Sequence, residues 1–419
     1  MKRYLFILFL GTCFLFSCSK EDMELKMADG IDTSIRSTSI KLTKAQSDLT
    51  ATTNVFAFNL FNQVRSSRKE ETLLLSPFSA AMALGMAATG AQGETELQMR
   101  SVLGFEDVTK EEMAEYYSKM LSGLAKADPY VDLRIANSIW IDKYFPVKED
   151  FIKNSEKSFD SIAENRDFSA SATLKEINDW VSEKTDGTIK DLLERLDPDA
   201  RVALVNALCF EGKWRYAFAG SKKGQFKNVS GGKTRTDMMY ATGEIFYSNK
   251  DGWEMVRLPY GTEAFSMDII LPPEGEKFQS TTLDYNIWQS LNIGGASRLC
   301  EVNMNIPSFI SNDSHDLIDP LKALGMALPF KDGADFSAMT DTDVRIGKVD
   351  QKTYIEVNEK GTKASSATVV VHLYGATGTS MEGEVKLESV NFDADRPFYY
   401  VISEKSTNAL LFIGQVTNL

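Results

Sequence analysis

The run VDQKTYIEVNEKGTKASSATVVV, from Val349 to Val371, constrains the fold of this chain more than any other segment. Thr353, Ile355 and Val357 alternate with Lys352, Tyr354, Glu356 and Asn358, which is the two-residue period of a sheet strand. Gly361 breaks that pattern. Beyond it, Thr362, Lys363, Ala364, Ser365, Ser366, Ala367 and Thr368 are small or β-tolerant, with a single charge and no proline. Such a segment has neither the apolar face of a docked strand nor the Gly/Pro chemistry of a tight turn, yet it can pair as a strand where a slot opens. It reads as a strand held out of its sheet.

Composition narrows what such a device can serve. The 419 residues carry a formal charge of −13, which argues against nucleic acid and against attraction to anionic lipid. There are only two histidines, His315 and His372, and no CxxC pair, HExxH, P-loop or GxSxG elbow, so no catalytic or metal constellation emerges. SNDSHDLID around His315 reads as a polar loop leading into a helix, with the imidazole on the solvated surface. His372 reads as an exposed loop residue. No metal or cofactor is expected.

The N-terminus bears on location. Lys2 and Arg3 precede an apolar stretch from Tyr4 to Phe16, and Ser17 precedes Cys18, the layout of a secretory leader over residues 1–17. A cysteine directly after a small residue resembles a bacterial lipobox, which would make Cys18 the lipidated first residue. Ser19-Lys20-Glu21-Asp22 resembles signals that send lipoproteins to the outer face of two-membraned bacteria, so the expected place is an outer-membrane lipoprotein exposed at the cell surface. Membrane contact would run only through that lipid. Cleavage there removes Lys2 and Arg3 and leaves a charge of about −15. Residues 18–45 read as the lipid site and a flexible polar tether. Cys209 and Cys300 sit in apolar, strand-like contexts and are read most simply as buried thiols; a disulfide between them stays open in an oxidising compartment.

Past the tether no linker, repeat or composition shift divides the chain. Ser76 with Pro77 reads as an N-cap and first turn. Thr109 caps a run in which Met113, Tyr117, Met120 and Leu124 share a face. From Arg201 strands dominate, with short helices expected around Asp284 to Leu291 and Asp316 to Leu324. Helices early and strands late indicate an α+β fold.

Motifs along most of the chain resemble one family. EKGTKASSAT resembles the proximal hinge of the serpins. NVFAFNLFNQV and LLLSPFSAAMALGMAATGAQGET (Leu73 to Thr95) are similar to the segments that build the first serpin helices. ANSIWI, INDWVSEKTDGTIKDLL, LVNALCFEGKW, TDMMY, VRLPYG, MDIILP, IPSF, LKALGM, ADFSAM and DRPFYYVISEKSTNALLFIGQVTNL follow in the family's order and spacing, through residues 46–419. On these motifs the chain is identified as a member of the serpins. The resemblance implies three β-sheets surrounded by about eight or nine helices, with an exposed reactive-centre loop over about residues 359–394.

It also implies a mechanism. A protease attacks the loop and forms an acyl-enzyme, and the freed hinge inserts into the large sheet as a new strand. About 15 residues at about 3.3 Å each carry the protease some 50 Å before it deacylates. Roughly a dozen new ladder hydrogen bonds at about 1 kcal/mol each, with apolar burial, would drive this, so the intact form is kinetically trapped. The hinge residues implied are Glu359, Gly361, Thr362, Ala364, Ser366 and Thr368, with Thr362, Ala364, Ser366, Thr368 and Val370 turned inward and Lys363 outward. Ser76, Ser79 and Asn206 match the polar cluster that holds the sheet shut. Gln351 stands where many serpins have histidine and keeps the hydrogen bonding without the titration. Trp214 and Glu359 match the gate where insertion begins.

Family spacing puts the reactive bond at Gly375-Ala376, with Tyr374-Gly375 as the alternative. The distal loop, Ala376 to about Ala394, is roughly ten residues longer than is common in the family. A cut at Lys386 would leave slack and let the protease escape. Gly375 suits elastase- or subtilisin-like pockets and Tyr374 a chymotrypsin-like one; papain-like cysteine proteases also pass through an acyl-enzyme. The expected function is a surface-anchored, monomeric inhibitor of such serine proteases rather than an enzyme. The alternatives are a non-inhibitory serpin acting as a binding module or substrate, expected to carry bulky or charged inward hinge residues that are absent here, and a hydrolase or structural lipoprotein on the same scaffold, which the scarcity of histidine disfavours.

Overall fold

The computed structural model describes residues 24–196, 200–292, 296–362 and 387–419. The chain starts with a short strand, β1 (Lys26–Met27), and the long helix α1 (Lys44–Arg65). Thr43 caps α1 reciprocally with Gln46, satisfying two otherwise unpaired donors. Next come β2 (Leu73–Leu75), α2 (Pro77–Thr89), α3 (Gly93–Leu103), α4 (Lys110–Leu124), β3 (Val131–Asp142), α5 (Glu149–Phe159), β4 (Ile162–Arg166) and α6 (Ser171–Lys184). Strands then dominate: β5 (Val202–Lys213), β6 (Tyr216–Ala217), β7 (Gly220–Lys227), β8 (Lys233–Lys250), β9 (Trp253–Pro259) and β10 (Phe265–Leu271). The chain continues through α7 (Tyr285–Asn292), β11 (Ser297–Pro307), β12 (Phe309–Asp316), α8 (Ile318–Ala323), β13 (Ile346–Asn358), β14 (Gly361–Thr362), β15 (Ser389–Asp393), β16 (Phe398–Glu404) and β17 (Leu410–Val416).

The fold is α+β, as the sequence pattern indicates. One sheet has the order β12-β13-β14-β5-β3-β4. A second runs β15-β11-β8-β9-β10-β16-β17-β2, with β7 on β8. Strand β8 pairs with β7 through Lys233 to Tyr240 and with β9 through Phe246 to Lys250. The short pair β1 and β6 forms the third sheet, so the three expected sheets are present. Helix α2 is apolar all round, with every residue from Pro77 to Ala88 buried, the signature of a helix inside a core rather than upon it. It packs on β5 and β3 of the six-stranded sheet and on β17 of the larger one. Thr109 caps α4 as expected, and Met113, Tyr117, Met120 and Leu124 are all buried.

Several expectations need correction. Residues 24–43 are docked, not a flexible tether. Strand β1 pairs antiparallel with β6, the Leu25 amide donates to the Thr242 carbonyl at 2.7 Å, and Ala28, Ile31 and Ile40 are buried. Isolated apolar residues in a polar stretch conceal such a strap, because each covers a separate patch and no periodicity results. The helix expected from Asp316 to Leu324 is only Ile318–Ala323, Asp316 being the end of β12. Ser76 occupies the N-cap position of α2, but its hydroxyl makes no capping bond and donates to the Leu411 carbonyl at 2.9 Å. Cys209 and Cys300 are buried thiols in different sheets, on β5 and β11, so the disulfide left open by the sequence is not formed.

Candidate functional site

The site lies where β13 and β5 part. These two strands are parallel and paired from Ile346 with Val202 up to Tyr354 with Cys209. Above that level they separate, and β14 stands between them, pairing Val357 with Thr362 on one side and Thr362 with Gly212 on the other. Thr362, the first of the inward hinge residues, is therefore already a rung of the sheet. Gly361 makes the turn into the slot at a φ of +153°, and a Cβ there would lie 2.1 Å from the Gly212 carbonyl oxygen. Only glycine fits that approach.

Aromatic side chains line the floor of this mouth. Trp214 and Tyr260 are fully buried and stack at 4.4 Å, with 16° between the rings. The Trp214 indole N–H donates to the Asn358 carbonyl at 2.8 Å, and its amide donates to the Lys360 carbonyl at 3.0 Å. The Phe218 amide donates to the Glu359 carbonyl at 3.2 Å. Thr362 is completely enclosed, and its hydroxyl lies 2.6 Å from the Tyr260 phenol. Trp214, Glu359, Gly361 and Thr362 thus meet in one place. Tyr260 was not singled out in the sequence, because VRLPYG carries no polar signature.

Below the mouth, polar side chains tie the closed strands together. Gln351 accepts from the Ser76 amide at 2.8 Å through Oε1, and its Nε2 donates to the Ser76 carbonyl at 2.8 Å and to Asn206 Oδ1 at 3.1 Å. Ser79 donates to the same Asn206 oxygen at 2.6 Å. The Asn206 amide reaches Asn137, which faces it across the β3–β5 pair. One level of the sheet is therefore crossed on β13, β5 and β3 by Gln351, Asn206 and Asn137, with α2 beneath. All five of these side chains are buried, where each unmade bond would carry a desolvation cost. Asn137 was missed, although a polar residue inside the apolar ANSIWI is the signal that could have revealed it.

His315 corrects the sequence reading most directly. It is buried on β12, directly opposite Gln351 in register. Arg68 can only donate, so its contact of 3.1 Å with Nδ1 makes that nitrogen the acceptor. Nε2–H then points to the Leu74 carbonyl at 2.9 Å and to Asp313 at 3.1 Å. Thr353 of β13 donates to the same Leu74 carbonyl at 3.0 Å. Phe309, Ser311, Asp313 and His315 face inward along β12; an inward row that is mostly polar disguises the strand as a loop. Burial pushes the Asp313 carboxyl up, but the hydrogen bond it accepts from His315 and the charge and hydrogen bond of Arg68 outweigh it and leave Asp313 below the ordinary aspartate range.

The profile of the family described as Serpin (serine protease inhibitor) matches residues 51–419. The chain is a serpin. An uncharacterized serpin-like protein of Methanosarcina mazei is 30% identical over 381 residues, covering 88% of this chain and 87% of the relative. Neuroserpin of Gallus gallus is 29% identical over 374 residues, covering 85% and 88%. The crystal structure of the thermophilic serpin tengpin in its native state aligns with a TM-score of 0.79 at 28% identity, over 94% of this serpin and 100% of that chain. Members of the family are generally protease inhibitors rather than enzymes. Of the residues singled out in the sequence, Cys18, Lys363, Ala364, Ser366, Thr368, Val370, His372, Tyr374, Gly375, Ala376 and Lys386 lie outside the described residues.

Proposed function

We propose that this serpin is a secreted inhibitor of serine proteases that acts as a suicide substrate. The protease's serine attacks the loop carbonyl and holds it as an ester while the new amine end departs with the distal segment. The hinge side then enters between β13 and β5 before water hydrolyses the ester. What carries the reading is the mouth of the sheet, where Thr362 already stands as a strand between two strands that are closed only from Tyr354 and Cys209 downward. The next inward positions, Ala364, Ser366 and Thr368, are small or β-branched, as a strand entering a packed interior requires.

Family spacing from Glu359 and Gly361 supports Gly375-Ala376 as the reactive bond, with Tyr374-Gly375 one step before it. Val369, Val370, Val371 and Leu373 ahead of the bond favour elastase-, subtilisin- or chymotrypsin-like targets over trypsin-like ones, with papain-like cysteine proteases as further candidates. The apolar leader and the Ser17-Cys18 junction support lipidation at Cys18 and a place on the outer membrane, facing outward. The test is to mix the mature chain with elastase, chymotrypsin, subtilisin and trypsin and run denaturing gels. A covalent band that survives denaturant, with the released peptide beginning at Ala376 or Gly375, is expected. Clean cleavage by each protease with no such band would replace this reading with a non-inhibitory, substrate-like serpin.

A further inference from the structure

Tyr260 buries a hydroxyl whose one hydrogen-bond partner among the described residues is Thr362, a residue of the hinge. Its ring is fixed from two sides, stacked on Trp214 and edge-on to Phe210 at 4.8 Å. A Cβ at Gly212 would approach the Tyr260 ring to 2.9 Å, so the backbone of β5 closes over it. The phenol then points at the Thr362 hydroxyl, 2.6 Å away, in a completely enclosed space. If Thr362 withdrew, the phenol would lose that bond where solvent does not reach it, which is the expensive way to lose one. The hydroxyl thus resists expulsion of the hinge and rewards its return.

We propose that Tyr260 is a positioning residue that holds Thr362 in the mouth of the sheet, so that the resting molecule keeps its hinge engaged by one rung. This rests on the inhibitory reading above. The consequence is kinetic. Strands β13 and β5 are already parted above Tyr354 and Cys209, so insertion after cleavage starts by opening that pair instead of by finding the slot. Capture is a race between insertion and deacylation, and a seated first rung removes the search from it. Residues 359–362, expected as the start of the loop over about residues 359–394, are therefore held against the sheet.

The test reads the latch without any protease. Hydrogen exchange of the intact mature chain is followed by mass spectrometry in the peptide spanning residues 358–362, for the natural chain, Tyr260→Phe, Thr362→Val and the double variant. Tyr260→Phe keeps the ring, its stacking and the fold, and is expected to speed exchange in that peptide about tenfold, the loss typical of one buried hydrogen bond. Thr362→Val is expected to match it, and the double variant to add little, because both remove the same bond. Unchanged exchange in Tyr260→Phe, or acceleration spread equally over β3 and β5, overturns the proposal. A second measurement counts inhibitor molecules consumed per protease trapped, expected to rise severalfold in Tyr260→Phe with an unaltered cleavage site. If no protease is trapped by the natural chain, the inhibitory reading fails while the exchange result still decides the latch.

Discussion

At the scale of single residues, the closed sheet depends on a few buried polar atoms that bond one another. Gln351→Ala would strip the Ser76 amide and carbonyl of the bonds they make with it and take one donor from Asn206. The expected loss is about 1–3 kcal/mol of unfolding free energy, read as a lower urea midpoint. Thr362→Arg would put a guanidinium where a fully enclosed hydroxyl meets a phenol, so the hinge is expelled and trapped complex gives way to cleaved serpin on a gel; an unchanged trapped fraction would refute the hinge assignment. Asp313 sets an acid limit. Its carboxyl titrates lower in the folded state than the unfolded value of about 4, so the folded state binds fewer protons at that site. The stability it contributes is full above about pH 4 and disappears as pH falls through its folded value. Urea midpoints measured at neutral pH and at descending acid pH should fall less steeply in Asp313→Asn than in the natural chain.

At the scale of elements, legibility followed the apolar pattern. Helix α4 was readable because Met113, Tyr117, Met120 and Leu124 repeat at helical spacing behind a capping threonine, and β13 because its apolar and polar residues alternate. Strand β12 was not, since its inward row is Phe309, Ser311, Asp313 and His315, whose burial is made tolerable by Arg68 and the Leu74 carbonyl, groups that lie some 240 residues away in sequence. The polar closure was legible only through family motifs, because Asn137, Asn206 and Gln351 meet by strand register and not by spacing. Tyr260 and the strap over residues 24–43 left no periodic trace at all. The strap offers its own test. Gly123, near the end of α4, would place a Cβ 2.7 Å from Ile40 Cγ1, so the helix leaves room there for the strap. Gly123→Ala should loosen residues 36–43 and raise proteolytic nicking there, while Ile40→Ala in the same background should partly relieve the crowding and lower it again.

At the scale of the molecule, the strap and the hinge meet on one short segment. The Ala28 amide bonds the Arg215 carbonyl and β1 pairs with β6, while Trp214 and Phe218 bond the turn at Lys360 and Glu359. The N-terminal strap therefore lies at the same end of the molecule as the turn leading to Thr362. Under the proposed lipidation, residues 19–23 alone separate Cys18 from the docked strap, a reach of at most about 20 Å. An anchor that short would set the Thr362 end of the sheet close to the membrane, and a bulky protease in solution would have to work in that gap. Lengthening residues 19–23 with a flexible Gly/Ser insert should leave trapping by the lipid-free chain unchanged and speed it on vesicles carrying the lipidated chain; equal rates with and without the insert on vesicles would mean that the strap undocks when anchored. Insertion itself is judged by heat. If the intact form is kinetically trapped and the cleaved hinge gains a full ladder in the six-stranded sheet, the gain of roughly ten kcal/mol expected from about a dozen hydrogen bonds must appear as a large rise in melting temperature after loop cleavage. Cleavage of the natural chain should raise it sharply and cleavage of Thr362→Arg should raise it less or later, whereas a natural chain that melts at the same temperature before and after cleavage would mean that the parted strands at the mouth do not admit the loop.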